Sequence, residues 1–309
     1  MERESKIFVA GHGGMVGSVL FDKLNDLGYS NLYYERSADL DLRNQSSTQQ
    51  YISKTRPEYI FLIAGKVGGI QANIKYPGEY LYDNLMISAN VIEAARINGV
   101  KKLLLLGSSC IYPRLSKQPM KEEYLLQGAL EPTNEGYAIG KIAGLKLCEY
   151  YDQQYGCNFI SVMPPNIYGP RDNYMTDDSH VISALIKRIH HAKTNNIEYV
   201  DIWGSGSARR EFMYNDDVAD GLLFLMNKYS EKDHINLGSG TDITIYDLAC
   251  TLKEIIEFQG TLRWDKNKPD GMPRKLMDSS RLKNLGWSPR INLFEGLSRT
   301  YSWYLKSIR

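Results

Sequence analysis

Short apolar runs alternate with longer stretches of helical apolar spacing through the first half of this chain. Lys6 to Ala10, Asn31 to Tyr34, Tyr59 to Ile63, Leu103 to Leu106 and Phe159 to Met163 read as strands. Between them, Met15 to Leu27, Tyr80 to Asn98 and Gly136 to Tyr155 carry apolar residues at helical periodicity, with Gly28 and Gly99 as helix stops. Strands alternating with helices in this rhythm build a parallel, doubly wound sheet. Right-handed crossovers then give the Rossmann arrangement, so the predicted class is α/β. After Pro164 to Pro170 the punctuation changes, and a loop rich in Asp, Asn and Ser leads to a helix beginning near His180. Asn215 to Met226 reads as a helix, and Ile235 to Leu237 as a strand returning to the sheet. The expected organisation is therefore interleaved. Residues 1–165 with 212–238 form a dinucleotide-binding domain, and residues 166–211 with 239–309 a smaller mixed α/β substrate domain.

Composition narrows the partners. The 309 residues carry 37 Lys and Arg against 36 Asp and Glu, a net charge of +1, which gives no electrostatic case for nucleic acid. No run of about 20 apolar residues suggests a membrane span, and the polar start leads straight into a strand, so a cytoplasmic protein is expected. Cys110, Cys148, Cys157 and Cys250 are widely spaced without a Cys-x-x-Cys pair, which argues against a zinc site and a disulfide framework. No metal is expected, since the tandem His190 and His191 has no third ligand at recognisable spacing.

Chemistry concentrates in three segments. Gly11-His12-Gly13-Gly14-Met15-Val16-Gly17 joins the first strand to the first helix, with glycines spaced for a tight turn, close approach to a pyrophosphate and close helix packing. Glu35 and Arg36 end the second strand, where an acid would bind a ribose 2′-hydroxyl and an arginine a 2′-phosphate. These neighbours leave NAD and NADP open on residue chemistry alone, and Asp41 is a candidate adenine contact. Further on, Tyr137 and Lys141 lie four residues apart and share a helix face, so the ammonium is expected to favour the ionised phenol. Ser108, after a preceding strand, is placed to hold a reacting carbonyl oxygen, and Cys110 adds a separate acid or base.

These segments, together with Lys66-Val67-Gly68-Gly69-Ile70, Gly107 to Pro113, Glu131-Pro132-Thr133-Asn134, Asn166-x-Tyr168-Gly169-Pro170, Asp172-Asn173, Ser179-His180-Val181 and Lys268-Pro269-Asp270-Gly271, resemble the GDP-L-fucose synthase family across nearly the whole chain. That family belongs to the extended short-chain dehydrogenase/reductases. The resemblance implies C3 and C5 epimerisation of a GDP-4-keto sugar followed by C4 reduction with NADPH, NADH being the alternative cofactor. It assigns Ser108, Tyr137 and Lys141 to the reductase triad and Cys110 with His180 to the epimerase acid/base pair. Ala64 joins the cofactor contacts, and Asn166, Arg188, Trp203, Arg210 and Lys268 match positions on the nucleotide-sugar side. Helices Tyr80 to Asn98 and Gly136 to Tyr155 match the pair that forms a homodimer interface. Similar proteins act only as C4 reductases on GDP-4-keto-heptoses in capsule or surface polysaccharide pathways. Gly13 and Ser37 stand where many bacterial members carry arginines for the cofactor 2′-phosphate. Pro165 replaces a common threonine, and the loop Tyr174 to Asp178 departs from the usual sequence. These changes flank the expected sugar pocket and keep the heptose alternative in view.

Overall fold

The computed structural model describes residues 1–172, 174, 180–268 and 271–308. Its centre is a six-stranded parallel sheet of β1 (Ile7–Ala10), β2 (Leu32–Tyr33), β3 (Tyr59–Leu62), β4 (Lys102–Leu106), β5 (Phe159–Met163) and β9 (Ile235–Asn236). The order β2-β1-β3-β4-β5-β9 reverses direction at β1, so a crevice opens beyond the carboxyl ends of β1 and β3. The strands are apolar on both faces because both are covered. Ile7, Val9, Phe61, Leu104, Leu106, Ile160 and Val162 pack toward α1 (Met15–Asp26) and α7 (Asn215–Lys228). Phe8, Ala10, Ile60, Leu62, Leu103, Leu105 and Phe159 face α2 (Gln45–Thr55), α4 (Pro77–Ile97) and α5 (Glu135–Tyr155). The predicted helix over Tyr80 to Asn98 begins earlier, because Pro77 suits a first helical turn. Both α2 and the short α3 (Ile70–Lys75) lie in stretches that periodicity did not mark.

Beyond β5 the chain builds a second layer. β6 (Asn166–Tyr168) pairs with β8 (Arg209–Tyr214), which also pairs with β10 (Asp242–Thr244) and with β12 (Arg274–Lys275). β7 (Tyr199–Trp203) pairs in parallel with β11 (Thr261–Asp265). A separate apolar core joins α6 (Val181–Thr194), α8 (Ile245–Ile256) and α10 (Leu293–Ser307) through residues such as Ile186, Leu252 and Leu297. The five-residue α9 (Ser280–Asn284) carries Leu282 back into the core beneath α1 and α7. Among the described residues, no helix is long and apolar enough to cross a membrane.

Candidate active site

A single cavity of about 1500 Å³ runs from the glycine loop past the ends of β1, β3, β4 and β5 to β7 and β12. Small-molecule sites usually occupy roughly 300–1,000 Å³. The volume here therefore suits two ligands placed end to end. At one end, Gly11 holds φ of +98°, and a Cβ there would press on the backbone of Ala64. A Cβ on Gly17 would run into the Gly11 carbonyl, so the turn and α1 meet at a distance only glycines permit. Gly13 faces open space, and Gly14 precedes α1 without supplying a side-chain cap, leaving the helix's first amides and dipole for an anion. Met15, Val16 and Ala64 complete this wall, so the residues present fit a dinucleotide pyrophosphate. His12 lies tilted against Tyr34 with ring centres 4.6 Å apart and bears against Phe21, an anchor that the glycine spacing does not reveal.

Glu35 and Arg36 also line the cavity, with the Arg36 side chain 83% exposed and within 3.5 Å of Asp39. Asp41 lines it as well, but Arg43 engages both its carboxylate oxygens. Those hydrogen bonds hold the Asp41 carboxyl below its ordinary range. Arg43 bonds Asp83 in turn at 3.1 Å, placing a guanidinium on the cavity wall that the sequence reading passed over.

The centre is built by the end of β4 and the start of α5. Ser108 is extended and accepts the Cys110 amide at 3.2 Å, which pins its hydroxyl at the mouth of a short turn. One helical turn separates Tyr137 from Lys141, whose ammonium lies 5.9 Å from the centre of the Tyr137 ring. The expected lowering of the phenol pKa is overturned. Burial pushes Tyr137 up, the neighbouring Cys110 sulfur adds to this, and a hydrogen bond with Ser108 offsets only part. Lys141 is itself buried and pushed down to about 8, and it donates to the Leu106 carbonyl at 3.0 Å. Desolvation acts on both groups and outweighs the ion–phenol attraction that helical spacing alone suggests.

Cys110 receives two donors, Asn134 Nδ2 and Lys275 Nζ, each 3.2 Å from its sulfur. Burial opposes the thiolate, yet the Lys275 charge with hydrogen bonds from Ser108, Lys275 and Asn134 brings the thiol below its ordinary value. His180 immediately precedes α6, and its Nδ1 lies 3.3 Å from Asp172, which also takes the Ser183 hydroxyl. The Asp172 hydrogen bond raises the His180 pKa against the effect of burial. Asp172 is thus the residue that orients His180, and Lys275 and Asn134 are the partners of Cys110. Lys275 lies in none of the sequence motifs.

At the far end, Arg188 stands 5.8 Å from the centre of a Trp203 ring that is half exposed rather than core. Lys268 approaches the same ring to 5.3 Å but does not line the cavity. Arg210 donates to the Arg209 and Met272 carbonyls, and Asn166 to the Glu211 carbonyl, so parts of both side chains hold the wall itself. Asn173, Met175 to Ser179, Pro269 and Asp270 lie outside the described residues, and with them most of the departing loop noted above.

Residues 7–238 match the NAD dependent epimerase/dehydratase family. The chain is 52% identical over 308 residues to "Putative GDP-L-fucose synthase 2" of Arabidopsis thaliana, covering 100% of this chain and 94% of the relative. Among solved structures, a GDP-6-OMe-4-keto-L-xylo-heptose reductase from C. jejuni superposes with a TM-score of 0.94 at 36% identity, covering 99% of each chain. A GDP-mannoheptose C4 reductase from Campylobacter jejuni with NADP bound gives 0.90 at 38% identity, again covering 99% of each. With its glycine loop on a doubly wound sheet and a Ser-Tyr-Lys cluster at the sheet's carboxyl edge, the chain belongs to the NAD dependent epimerase/dehydratase family, in the branch of the GDP-L-fucose synthases.

Proposed function

We propose that this protein reduces C4 of a GDP-4-keto sugar with NADPH and epimerises C3 and C5 beforehand. The observation that carries the reading is the meeting of Ser108, Tyr137 and Lys141 with a second proton-transfer pair, Cys110 and His180, in one cavity. A 4-keto group acidifies the hydrogens on both neighbouring carbons. Cys110 and His180 exchange those protons while the Ser108 and Tyr137 hydroxyls hold the carbonyl oxygen as it gains charge. NADPH, when bound, supplies the hydride to C4. Tyr137 protonates the resulting alkoxide, a task suited to a phenol whose raised pKa keeps it in the acid form. Lys141 fixes the geometry through the Leu106 carbonyl and adds positive charge near the oxygen. Epimerisation precedes reduction, because without the ketone those hydrogens are no longer acidic.

Residues 1–165 with 212–238 carry the dinucleotide in this reading, and residues 166–211 with 239–309 the nucleotide sugar. Gly11, Gly13, Gly14, Met15, Val16 and Gly17 receive the pyrophosphate, and Glu35, Arg36, Asp41 and Ala64 the adenosine side. Asn166, Arg188, Trp203 and Arg210 on the cavity wall serve the GDP sugar, with Lys268 reaching it from beside the Trp203 ring. The NADP-bound neighbour favours NADPH, with Arg36 as the exposed cation for a 2′-phosphate and Arg43, tied to Asp41 and Asp83, adding positive charge to the same wall. The protein is read as a cytoplasmic homodimer joined through α4 and α5. A second reading, a reductase-only enzyme for a GDP-4-keto-heptose in capsule or surface polysaccharide synthesis, is favoured by the heptose reductase neighbours and by Pro165 on the cavity wall. Turnover of GDP-4-keto-6-deoxy-mannose with one NADPH oxidised per product supports the first reading. Better turnover of a GDP-4-keto-heptose supports the second, and no NADPH oxidation with either refutes both.

A further inference from the structure

The environment of the Cys110 sulfur is more elaborate than a half-buried thiol on a cavity wall needs. An amide nitrogen and an ammonium approach it at the same 3.2 Å, one from the turn before α5 and the other from β12. The ammonium comes from a rigid place. Lys275 pairs in register with Arg210 of β8. The next two amides are tied down, Leu276 N–H to Gln118 Oε1 at 2.8 Å and Met277 N–H to Glu211 Oε2 at 2.9 Å. The Leu276 carbonyl accepts the Met120 amide at 2.7 Å. Strand alternation turns Arg274 outward to Asp242 and Lys275 to the opposite, cavity-lining face, where its head meets the sulfur.

We propose that Lys275 is a positioning residue for Cys110, holding its sulfur as an oriented thiolate base at the cavity wall. This rests on the reading of Cys110 as a base beside a 4-keto sugar. In the step it serves, the C–H bond next to the carbonyl breaks and the proton forms an S–H bond. The C–H electron pair becomes the enolate double bond, and the carbonyl π pair moves onto oxygen. Every charged or titratable group facing the sulfur enters the balance. Lys275 favours the thiolate, with Ser108 and Asn134 donating to it, while Tyr137 and His180 stand close enough to feel its charge. A neutral Tyr137 and a cationic His180 are both compatible with a thiolate between them.

The test begins without substrate. Alkylation of Cys110 by iodoacetamide is followed against pH in the free enzyme, the site being identified by peptide mass spectrometry. The wild-type rate should rise with a midpoint below the roughly 8.5 of a free thiol. Lys275→Met should move that midpoint up by about one unit and slow alkylation at neutral pH about tenfold. Lys275→Arg should restore most of the difference. Asn134→Ala, which leaves β12 untouched, should give a smaller upward shift, so the idea stays testable if Lys275→Met fails to fold. Unchanged midpoints in these variants would overturn it. With substrate, Lys275→Met should lower the rate of solvent deuterium exchange into the sugar with little change in KM. A raised KM at unchanged exchange rate would instead assign Lys275 to a substrate phosphate and also overturn the proposal. Because the alkylation profile involves no sugar, it stands even if wild-type enzyme shows no exchange, an outcome that would sink only the epimerase reading.

Discussion

A phenol pushed up by desolvation beside a buried lysine holds its proton, and that is what a reductase needs at the moment an alkoxide forms. Tyr137→Phe should therefore reduce C4 reduction by roughly 100-fold or more while dinucleotide binding, read by fluorescence quenching, is retained. Unchanged turnover would contradict the role. His180 answers to Asp172, whose hydrogen bond raises its pKa. A raised pKa keeps the cationic, proton-donating form present to higher pH, and that form is lost as pH rises through it. Asp172→Asn should then move the alkaline limb of the exchange reaction to lower pH, and a profile that does not shift would disprove the coupling. At this scale the sequence exposed residues that lie in contiguous motifs, such as Ser108, Cys110, Tyr137 and Lys141. It hid Lys275, which reaches Cys110 across 165 residues of chain and belongs to no local pattern. It also misjudged the Tyr137 and Lys141 pair, because spacing reports proximity and says nothing of desolvation.

Elements were legible where periodicity was strong. Phe159–Met163 spans the predicted strand, and α1, α5 and α7 begin within a residue of expectation, because continuous apolar strands and amphipathic helices leave clear signatures. α2 was invisible for a physical reason. Its only fully buried positions are Thr48 and Ile52, and its start is fixed by Asn44 accepting the Ser47 amide rather than by an apolar stripe. The glycine loop depends on contact between elements. Replacing Gly17 with Ala forces a methyl group against the Gly11 carbonyl and should cost about 1–3 kcal/mol of stability. It should weaken NADPH binding as well, both being read by thermal melting with and without cofactor. Equal melting and equal binding would show that the turn does not need that close approach.

The whole molecule is a sheet whose carboxyl edge lines the cavity and a second layer whose strands close over it. Interleaving explains why the second layer was hard to read. β6, β8 and β12 come from three distant stretches, and their pairing is set by tertiary packing rather than by local pattern. On the outside, Tyr82, Leu85, Ile139 and Tyr150 leave apolar side chains of α4 and α5 exposed. This predicts a dimer in sedimentation velocity at micromolar concentration, and a monomer under those conditions would refute that assembly. The central claim is that one cavity exchanges protons beside a ketone and then reduces it. Its most direct test is the reaction of GDP-4-keto-6-deoxy-mannose with NADPH in deuterium oxide, with the product read by NMR and mass spectrometry. Deuterium at both C3 and C5 of a C4-reduced sugar is the predicted result, and reduction without deuterium, or no reduction at all, would contradict it.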